Sequence, residues 1–191
     1  EKSKVKKNKS IAIFGGGPIG LMLALLAKFY DLSKIIIIEK SPKRIDFIKK
    51  NFKFISTIID PNVSNLKTKV LNITNKKGVN YIFTANSEIE SHKSSFDIIS
   101  KNGTINLFGG LKHSSKSINL PSNIIHYNEL NIVGSHGSSK LQHKKALSLI
   151  ESKKIKLNKL ITHKYKLIDI KKAFKLAASK KAIKIVIKPN V

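Results

Sequence analysis

Residues 11–20, Ile-Ala-Ile-Phe-Gly-Gly-Gly-Pro-Ile-Gly, decide the fold of this chain. The first four form a short apolar run typical of a buried strand, and the last six match the pattern G-x-G-x-x-G. Residues 21–29 continue as an almost wholly apolar run, too long for most strands. The stretch therefore predicts a strand, a tight glycine turn and a buried helix.

Each glycine of the pattern has its own predicted role. Gly15 turns the chain out of the strand, Gly17 lets the backbone approach a pyrophosphate, and Gly20 lets helix and strand pack closely. Pro18 and Ile19 open the helix at the same site. The pyrophosphate of a dinucleotide would lie where free backbone N–H groups meet the positive end of the helix dipole.

The residues after the motif make this glycine pattern more specific. Residues 35–38 are four isoleucines, which predict a strand buried on both faces, and Glu39 follows nineteen residues after Gly20. An acid at this point binds both ribose hydroxyls of a dinucleotide and repels a 2′-phosphate. The sequence therefore predicts NAD as the cofactor in preference to NADP.

Three basic residues after Glu39 act against that preference: Lys40, Lys43 and Arg44. Arg44 is a candidate for the adenine or ribose side, unless it is a solvated helix residue. Two other interpretations of the motif stay open, namely a glycine turn followed by an unrelated surface glutamate, and a methyltransferase that binds S-adenosylmethionine. The methyltransferase turn usually lacks both the third glycine and the apolar helix, which disfavours that class.

The rest of the chain predicts more alternating strands and helices. A helix is predicted to begin at Ser41-Pro42. Further strands are predicted at 56–59, 79–84, 104–108 and 131–133, and further helices at 63–77 and 88–100. The helix at 88–100 is predicted to end at Asn102-Gly103, with the glycine in the left-handed conformation. A loop of about twenty residues precedes the last strand. The predicted fold class is α/β, a doubly wound parallel six-stranded Rossmann sheet of order 3-2-1-4-5-6, with a ligand crevice beyond strands 1 and 4.

The pattern changes beyond Gly137. A helix is predicted at 140–151, an extended piece at 161–167, a helix at 169–179 and a strand at 183–187. This succession does not resemble a second Rossmann half. It predicts a C-terminal α/β segment added to the sheet.

Charge and composition limit the other function classes. The formal net charge of +26 suggests polyanions as binding partners. The lysines are spread along the chain and do not form one patch, which disfavours nucleic-acid binding. The absence of cysteine excludes disulfides and a thiolate zinc site, and leaves the cytoplasm as the default compartment. Residues 11–30 follow a basic run as a membrane anchor would, but the glycines and Pro18 interrupt them, so no membrane segment is predicted.

The sequence resembles the zinc-type medium-chain dehydrogenases, close to the sorbitol, threonine and sugar-alcohol dehydrogenases. Besides the glycine motif, Ile38-Glu39 and Arg44-Ile45, the resemblance is carried by residues 103–110, 125–130, 132–135 and 160–163. It runs nearly end to end. Members of this family transfer hydride between the nicotinamide and an alcohol carbon, with zinc as a Lewis acid. The resemblance implies an NAD-dependent oxidoreductase acting on a small alcohol or sugar alcohol.

The resemblance also assigns residues to the nicotinamide side of the crevice. They follow strands 4, 5 and 6 and are Thr84 and Ala85, Phe108 and Gly109, and Gly134 and Ser135. All of them suit ordinary turn packing as well, and both interpretations stay open. His126 and His136 lie on loops expected to face the crevice, where they are candidates for contact with substrate.

The chain departs from the family at its zinc sites. The family holds its catalytic zinc with a cysteine, a histidine and usually a glutamate in an N-terminal domain. No cysteine is present here, and the histidines at 92, 113, 126, 136, 143 and 163 lack metal-site spacing. We therefore expect zinc only in a complete family member, and we assign no catalytic residue to this chain.

The resemblance implies three parts. Residues 1–9 are a basic linker from a missing N-terminal catalytic domain, residues 10–136 the NAD-binding Rossmann domain, and residues 137–191 a segment that returns to the catalytic domain. This segment is expected to have no partner to pack on and to expose apolar surface. The chain alone is expected to be inactive. The alternatives are a non-catalytic NAD-binding module and a basic polyanion-binding protein, and a homo-oligomer joined through the cofactor domain is also considered.

Overall fold

The computed structural model describes residues 1–112, 117–179 and 181–190. Strands and helices alternate through the first part of the chain. They are β1 (Ser10–Phe14), α1 (Pro18–Phe29), β2 (Lys34–Ile38), α2 (Pro42–Asn51), β3 (Thr57–Ile59), α3 (Leu66–Ile73), β4 (Val79–Thr84), α4 (Ile89–Ile98), β5 (Ile99–Leu107), α5 (Ser122–Tyr127) and β6 (Asn131–Gly134). After them come α6 (Lys140–Glu151), β7 (Ile161–Lys166), α7 (Ile170–Ala178) and β8 (Lys184–Lys188).

Strands β1 to β6 form one sheet in the order β3-β2-β1-β4-β5-β6, and all five pairings are parallel. This confirms the predicted doubly wound α/β fold. Because the strands are parallel, their carboxyl ends share one edge of the sheet. The order reverses between β1 and β4, where such folds open a ligand crevice.

The core lies on both faces of this sheet. Ile13 and Ile37 pack with Leu21 and Ile48 on the side of α1 and α2. Ile36 and its neighbours pack on the opposite side, with residues of α3 and α4. Alternate side chains of β1 and β2 therefore enter different cores, which explains why these strands are continuously apolar.

The boundary between α4 and β5 differs from the prediction. The helix ends at Ile98 and Ile99 is already extended, because Ile99 pairs with Val79 of β4. The left-handed residue is Asn102, with φ 58°, so the prediction that glycine takes this conformation was wrong. Gly103 is needed instead for space, since a Cβ atom there would come within 2.6 Å of the Ile99 side chain.

Two smaller differences concern helix signals. The loop predicted before the last strand contains the short helix α5, and α3 is shorter than the predicted helix at 63–77. Ser41 precedes α2 as expected, but its side chain makes no capping hydrogen bond. The first turn of α2 therefore begins on the rigid backbone of Pro42 without that bond.

The C-terminal segment packs partly on the Rossmann unit. Strands β7 and β8 pair in parallel as a separate two-stranded sheet. Leu160 and Ile183 are buried in the same apolar cluster as Leu21, so the expectation of no packing partner was wrong for these residues. Elsewhere the segment exposes apolar side chains, with Ile168 at 88% and Phe174 at 68% exposure. Over the described residues, the helices are all too short or too polar to cross a bilayer.

Candidate functional site

The glycine turn joins β1 to α1 at the carboxyl edge of the sheet. Gly15 has φ +107°, a conformation that L side chains rarely adopt, and its N–H donates to the Ile38 carbonyl oxygen at 2.8 Å. A Cβ atom on Gly20 would overlap the carbonyl oxygen of Gly15. These two glycines are therefore needed for the turn itself and for the close packing of α1 on β1.

Gly17 stands apart from those two glycines. It precedes α1 with φ −75° and ψ −175°, which any residue can adopt. Within the part of the chain that the structure describes, a Cβ atom there would meet only the Arg44 guanidinium, at 3.6 Å from Nη1. The backbone therefore does not require glycine at this position, and the space saved by it opens toward Arg44.

Glu39 is held at the end of β2 by backbone donors. Its side chain is 8% exposed, and Oε2 accepts a hydrogen bond from the Gly16 N–H at 2.8 Å. Oε1 accepts from the N–H groups of Lys40 and Ser41 at 2.8 and 2.9 Å. Arg44 Nη1 lies 3.6 Å from Oε2. This arrangement ties the glycine turn to the end of β2 and fixes the carboxylate orientation.

A cleft of about 850 Å³ opens beside this carboxylate, within the range typical of small-molecule sites. Gly15, Glu39 and Arg44 line it, which brings three of the predicted site residues together. Its wall also carries basic side chains, namely Lys40, Lys43 and Lys181. The buried Nε of Arg44 has no hydrogen-bond partner among the described residues. Glu88 and Glu90 line the cleft as well, so its wall carries charges of both signs, and the Glu39 carboxylate is the one held by backbone donors.

The residues predicted on the nicotinamide side lie at the ends of β4, β5 and β6, on the same edge as the cleft but not in its wall. The Gly109 N–H donates to the Thr84 carbonyl oxygen at 2.6 Å, and the Ser135 N–H to the Leu107 carbonyl oxygen at 3.3 Å. The Thr84 side chain is fully buried, so a cofactor cannot reach its hydroxyl group. The backbone atoms of Thr84 are buried as well, since the whole residue is 0% exposed, so the described structure does not present Thr84 to a cofactor.

The other residues of this set are accessible. Phe108 is partly exposed, with its ring centroid 6.5 Å from that of Phe83. Gly134 is exposed, and a Cβ atom there would meet no atom of the described residues within 4 Å. Ala85 donates its N–H to the Phe14 carbonyl oxygen at 2.9 Å, which links the ends of β4 and β1. These positions leave the carboxyl edge of β5 and β6 open beside the cleft.

The histidines are scattered over the described part of the chain. His126 and His136 are exposed, and neither lines the cleft, whereas His113 lies outside the described residues. Among residues 1–112, 117–179 and 181–190, no three His, Asp or Glu side chains come together as a metal-binding group. The described residues therefore do not fit the zinc sites that the resemblance implies for a complete family member.

The sequence patterns did not predict a role for His92, a polar residue that the structure buries. It lies on α4, is 4% exposed, and its Nε2 has no hydrogen-bond partner in the described residues. Burial lowers the pKa of His92 below its ordinary value of 6.5, and the backbone of Gly109 opposes this effect. The signal available in sequence was its position one turn before the buried Phe96 on the same helix face.

The lowered pKa of His92 predicts a pH-dependent stability. The unfolded chain takes up a proton near pH 6.5 and the folded chain only at lower pH, so folding is favoured most above that range. We expect the free energy of unfolding to decrease as the pH falls from 7 to 5, by at most about 1.4 kcal/mol per pH unit from this group. Urea unfolding at several pH values measures this decrease in the free energy of unfolding.

The control separates His92 from the other titrating groups. His92→Gln removes the titration and is expected to flatten the curve relative to the unmodified chain. His143→Gln, on the exposed helix α6, makes the same change at a second histidine and is the comparison variant. If the free energy of unfolding depended on pH in the same way in both variants, burial of His92 would not be the cause of that dependence.

Comparison with known proteins places this geometry in a family. The sequence pattern that defines the zinc-binding dehydrogenases matches residues 18–152. Sorbitol dehydrogenase of Halalkalibacterium halodurans is 27% identical over 188 residues, covering 98% of this chain and 54% of that protein. D-arabitol-phosphate dehydrogenase of Enterococcus avium is 28% identical over 193 residues. That match covers 100% of this chain and 53% of that protein.

A solved structure shows the same fold. It is the crystal structure of 2R,3R-butanediol dehydrogenase from Bacillus subtilis, with a TM-score of 0.86 and 25% identity, covering 98% of this chain and 53% of that one. The chain thus spans about half the length of the relatives it matches. The glycine turn, the six-stranded sheet and the matched pattern together show that the chain belongs to the zinc-binding dehydrogenase family.

Proposed function

We propose that this chain binds NAD(H) as the cofactor-binding part of an alcohol or polyol dehydrogenase. The observation that carries the proposal is the Glu39 carboxylate, fixed at the wall of the cleft and bonded to the N–H of Gly16 in the glycine turn. An acid held beside such a turn is suited to the ribose hydroxyls of a dinucleotide. The named relatives, a sorbitol and an arabitol-phosphate dehydrogenase, support the substrate class.

The geometry supports one direction for the bound dinucleotide. The adenosine ribose would lie at Glu39 and Arg44, and the pyrophosphate over Gly17 at the amino end of α1, where the helix dipole favours negative charge. The nicotinamide end would extend along the sheet edge toward Phe108, Gly109, Gly134 and Ser135. When bound, the nicotinamide supplies the hydride acceptor or donor. The residues of this chain bind and orient it.

The domain organisation forms part of the proposal. Residues 10–136 are the cofactor unit, residues 1–9 a basic connection, and residues 137–191 a segment that returns to a catalytic domain. The apolar side chains exposed on α6 and α7 support an additional packing surface there. The substrate site and the zinc would then belong to another part of the whole enzyme, and this chain alone would be inactive. A cytoplasmic location and association through the cofactor unit stay predictions.

Titration with NADH and NADPH tests the proposal. We expect NADH to bind about tenfold more tightly than NADPH, because the Glu39 carboxylate accepts the ribose hydroxyls and repels a 2′-phosphate. Nicotinamide fluorescence at moderate salt measures both dissociation constants. In Glu39→Gln the difference is expected to narrow, since the side chain keeps its size and loses its charge.

The same titration separates the alternatives. A basic polyanion-binding surface would prefer the more highly charged NADPH, with an affinity that falls steeply as salt increases. A non-catalytic NAD-binding module would bind NADH equally well, and only the activity of a longer protein containing this chain would distinguish it. If neither dinucleotide bound to the chain, with its folding verified by circular dichroism, the proposal would be wrong.

A further inference from the structure

The amino ends of strands β1 to β4 lie together on the sheet edge opposite the cleft beside Glu39, because all these strands are parallel. Four stretches lead into them, residues 7–9, 30–33, 52–56 and 74–78. Together these stretches contain five lysines and one carboxylate, that of Asp31. Since neighbouring strands lie about 4.8 Å apart, the four amino ends extend over about 15 Å. Lysines that are far apart in sequence therefore meet at one edge of the fold.

Hydrogen bonds between elements hold this edge together. The Ser33 N–H donates to the Lys9 carbonyl oxygen at 2.9 Å, which joins the stretch before β1 to the stretch before β2. Lys34 Nζ donates to the Ile73 carbonyl oxygen at 2.6 Å, and this places its charge at the end of α3. The amino ends of β1 and β2 and the end of α3 thus share one positively charged surface.

The end of α2 continues the same surface. Lys28 Nζ, at the end of α1, lies 4.9 Å from the centroid of the Phe54 ring, and Lys53 precedes Phe54 in the chain. Lys159 Nζ, from the C-terminal segment, donates to the Asn51 carbonyl oxygen at 3.4 Å. We call this surface the lysine edge and define it by Lys9, Lys28, Lys34, Lys53, Lys77 and Lys159. Over the described residues, none of these six lysines forms an ion pair with a carboxylate.

The helix ends offset only part of this charge. Helices α1, α2 and α3 all end at this edge, and each carboxyl end carries about half a negative charge. With the Asp31 carboxylate, they balance about two and a half positive charges, fewer than half of the six. The lysine edge therefore keeps a positive excess that the fold itself does not neutralise, which favours an anionic partner.

The exposed side chains at this edge favour a nucleic acid over a membrane. Binding to a bilayer surface gains much of its strength from apolar side chains that enter the lipid. In the described stretches before β1 to β4, Tyr30 is the one large apolar side chain that is strongly exposed, at 51%. An aromatic ring is also the kind of side chain on which an unpaired base stacks.

We propose that the lysine edge binds the phosphate backbone of single-stranded nucleic acid without sequence preference. The lysine ammonium groups contact phosphates as point charges, and the exposed Tyr30 ring stacks on a base. This surface lies on the opposite edge of the sheet from the cleft, so the dinucleotide of the proposed function leaves it free.

The test uses a fluorescein-labelled oligothymidylate of about fifteen nucleotides, titrated with the full chain and followed by fluorescence anisotropy. The variant combines Lys9→Gln, Lys53→Gln and Lys77→Gln, three exposed positions of the lysine edge. Each phosphate contact contributes about 0.7 to the slope of log affinity against log salt. We therefore expect the slope to decrease by about 2, and the affinity to fall about a hundredfold at about 0.1 M salt. Because no dinucleotide is present, the outcome does not depend on the proposed function.

The matched control removes three charges elsewhere. It combines Lys140→Gln, Lys171→Gln and Lys175→Gln, which are exposed on α6 and α7, and it has the same net charge as the first variant. We expect the control to lose less than about threefold in affinity and to keep the salt slope. Circular dichroism verifies that both variants are folded. The proposal is overturned if the unmodified chain does not bind the oligonucleotide, or if both variants lose the same affinity, as overall charge alone would cause.

Tyr30→Leu distinguishes a nucleic acid from a bilayer, because leucine stays apolar but has no aromatic face. Oligonucleotide binding is expected to weaken about fivefold in this variant, through the loss of one stacked base. Vesicles that contain phosphatidylserine would bind the leucine variant at least as tightly as the unmodified chain. If such vesicles bound the unmodified chain and the oligonucleotide did not, the lysine edge would be a membrane surface and the proposal would be wrong.

Discussion

Gly17→Val is expected to weaken NADH binding by about a hundredfold, or about 2.7 kcal/mol, because its side chain occupies the proposed pyrophosphate position. The backbone at Gly17 has φ −75° and ψ −175°, which valine adopts without strain. Among the described residues, its Cβ atom would meet only the guanidinium of Arg44, at 3.6 Å, and Arg44 lines the cleft. Fluorescence titration with NADH measures the loss, and urea unfolding should show a stability change of about 1 kcal/mol or less.

A graded control accompanies this variant. Gly17→Ala adds only the Cβ atom, for which the structure has room, and should weaken NADH binding much less than valine. If Gly17→Val bound NADH as tightly as the unmodified chain, the pyrophosphate could not lie over Gly17. The proposed direction of the dinucleotide would then have to be abandoned, while the fold would be unaffected.

Gly20→Ala is expected to lower the free energy of unfolding by about 3 kcal/mol, as overpacking of a closely packed interior does. The new Cβ atom would overlap the carbonyl oxygen of Gly15 and lie 3.4 Å from Cγ2 of Ile13. The first of these neighbours is backbone, so relief requires α1 to move away from β1. Urea unfolding followed by circular dichroism measures the change.

Gly110→Ala is the matched control for this variant. Among the described residues, Gly110 has no atom within 4 Å of an added Cβ, and its φ is not positive, so the free energy of unfolding of Gly110→Ala should change by no more than about 0.5 kcal/mol. If Gly20→Ala were as stable as this control, the contact between α1 and β1 would have more room than the structure shows. The two variants therefore distinguish two roles of the motif. Gly17→Val is expected to weaken NADH binding, whereas Gly20→Ala is expected to lower the free energy of unfolding.

Local pattern alone determined most of the Rossmann unit. The apolar runs of β1 and β2 predict strands buried on both faces, and the right-handed crossover rule then leaves the strand order that is observed. The position of Glu39 after the second strand was likewise readable, because parallel strands bring their carboxyl ends to one edge. These features follow from the pattern of neighbouring residues and from the handedness of the backbone. A short stretch of sequence is enough to predict both.

Tertiary contacts decided the rest, because they join residues far apart in sequence. Pairing of Ile99 with Val79 ended α4 earlier than its own pattern predicts, and burial of Leu160 and Ile183 in the apolar cluster of the Rossmann unit anchored the C-terminal segment. Burial of Thr84 removed its hydroxyl from the candidate site, and burial of His92 left its Nε2 atom without a hydrogen-bond partner among the described residues. The sequence by itself determined the sheet and its glycine turn. Which side chains face a ligand followed only from packing, because solvent exposure depends on all the surrounding elements together.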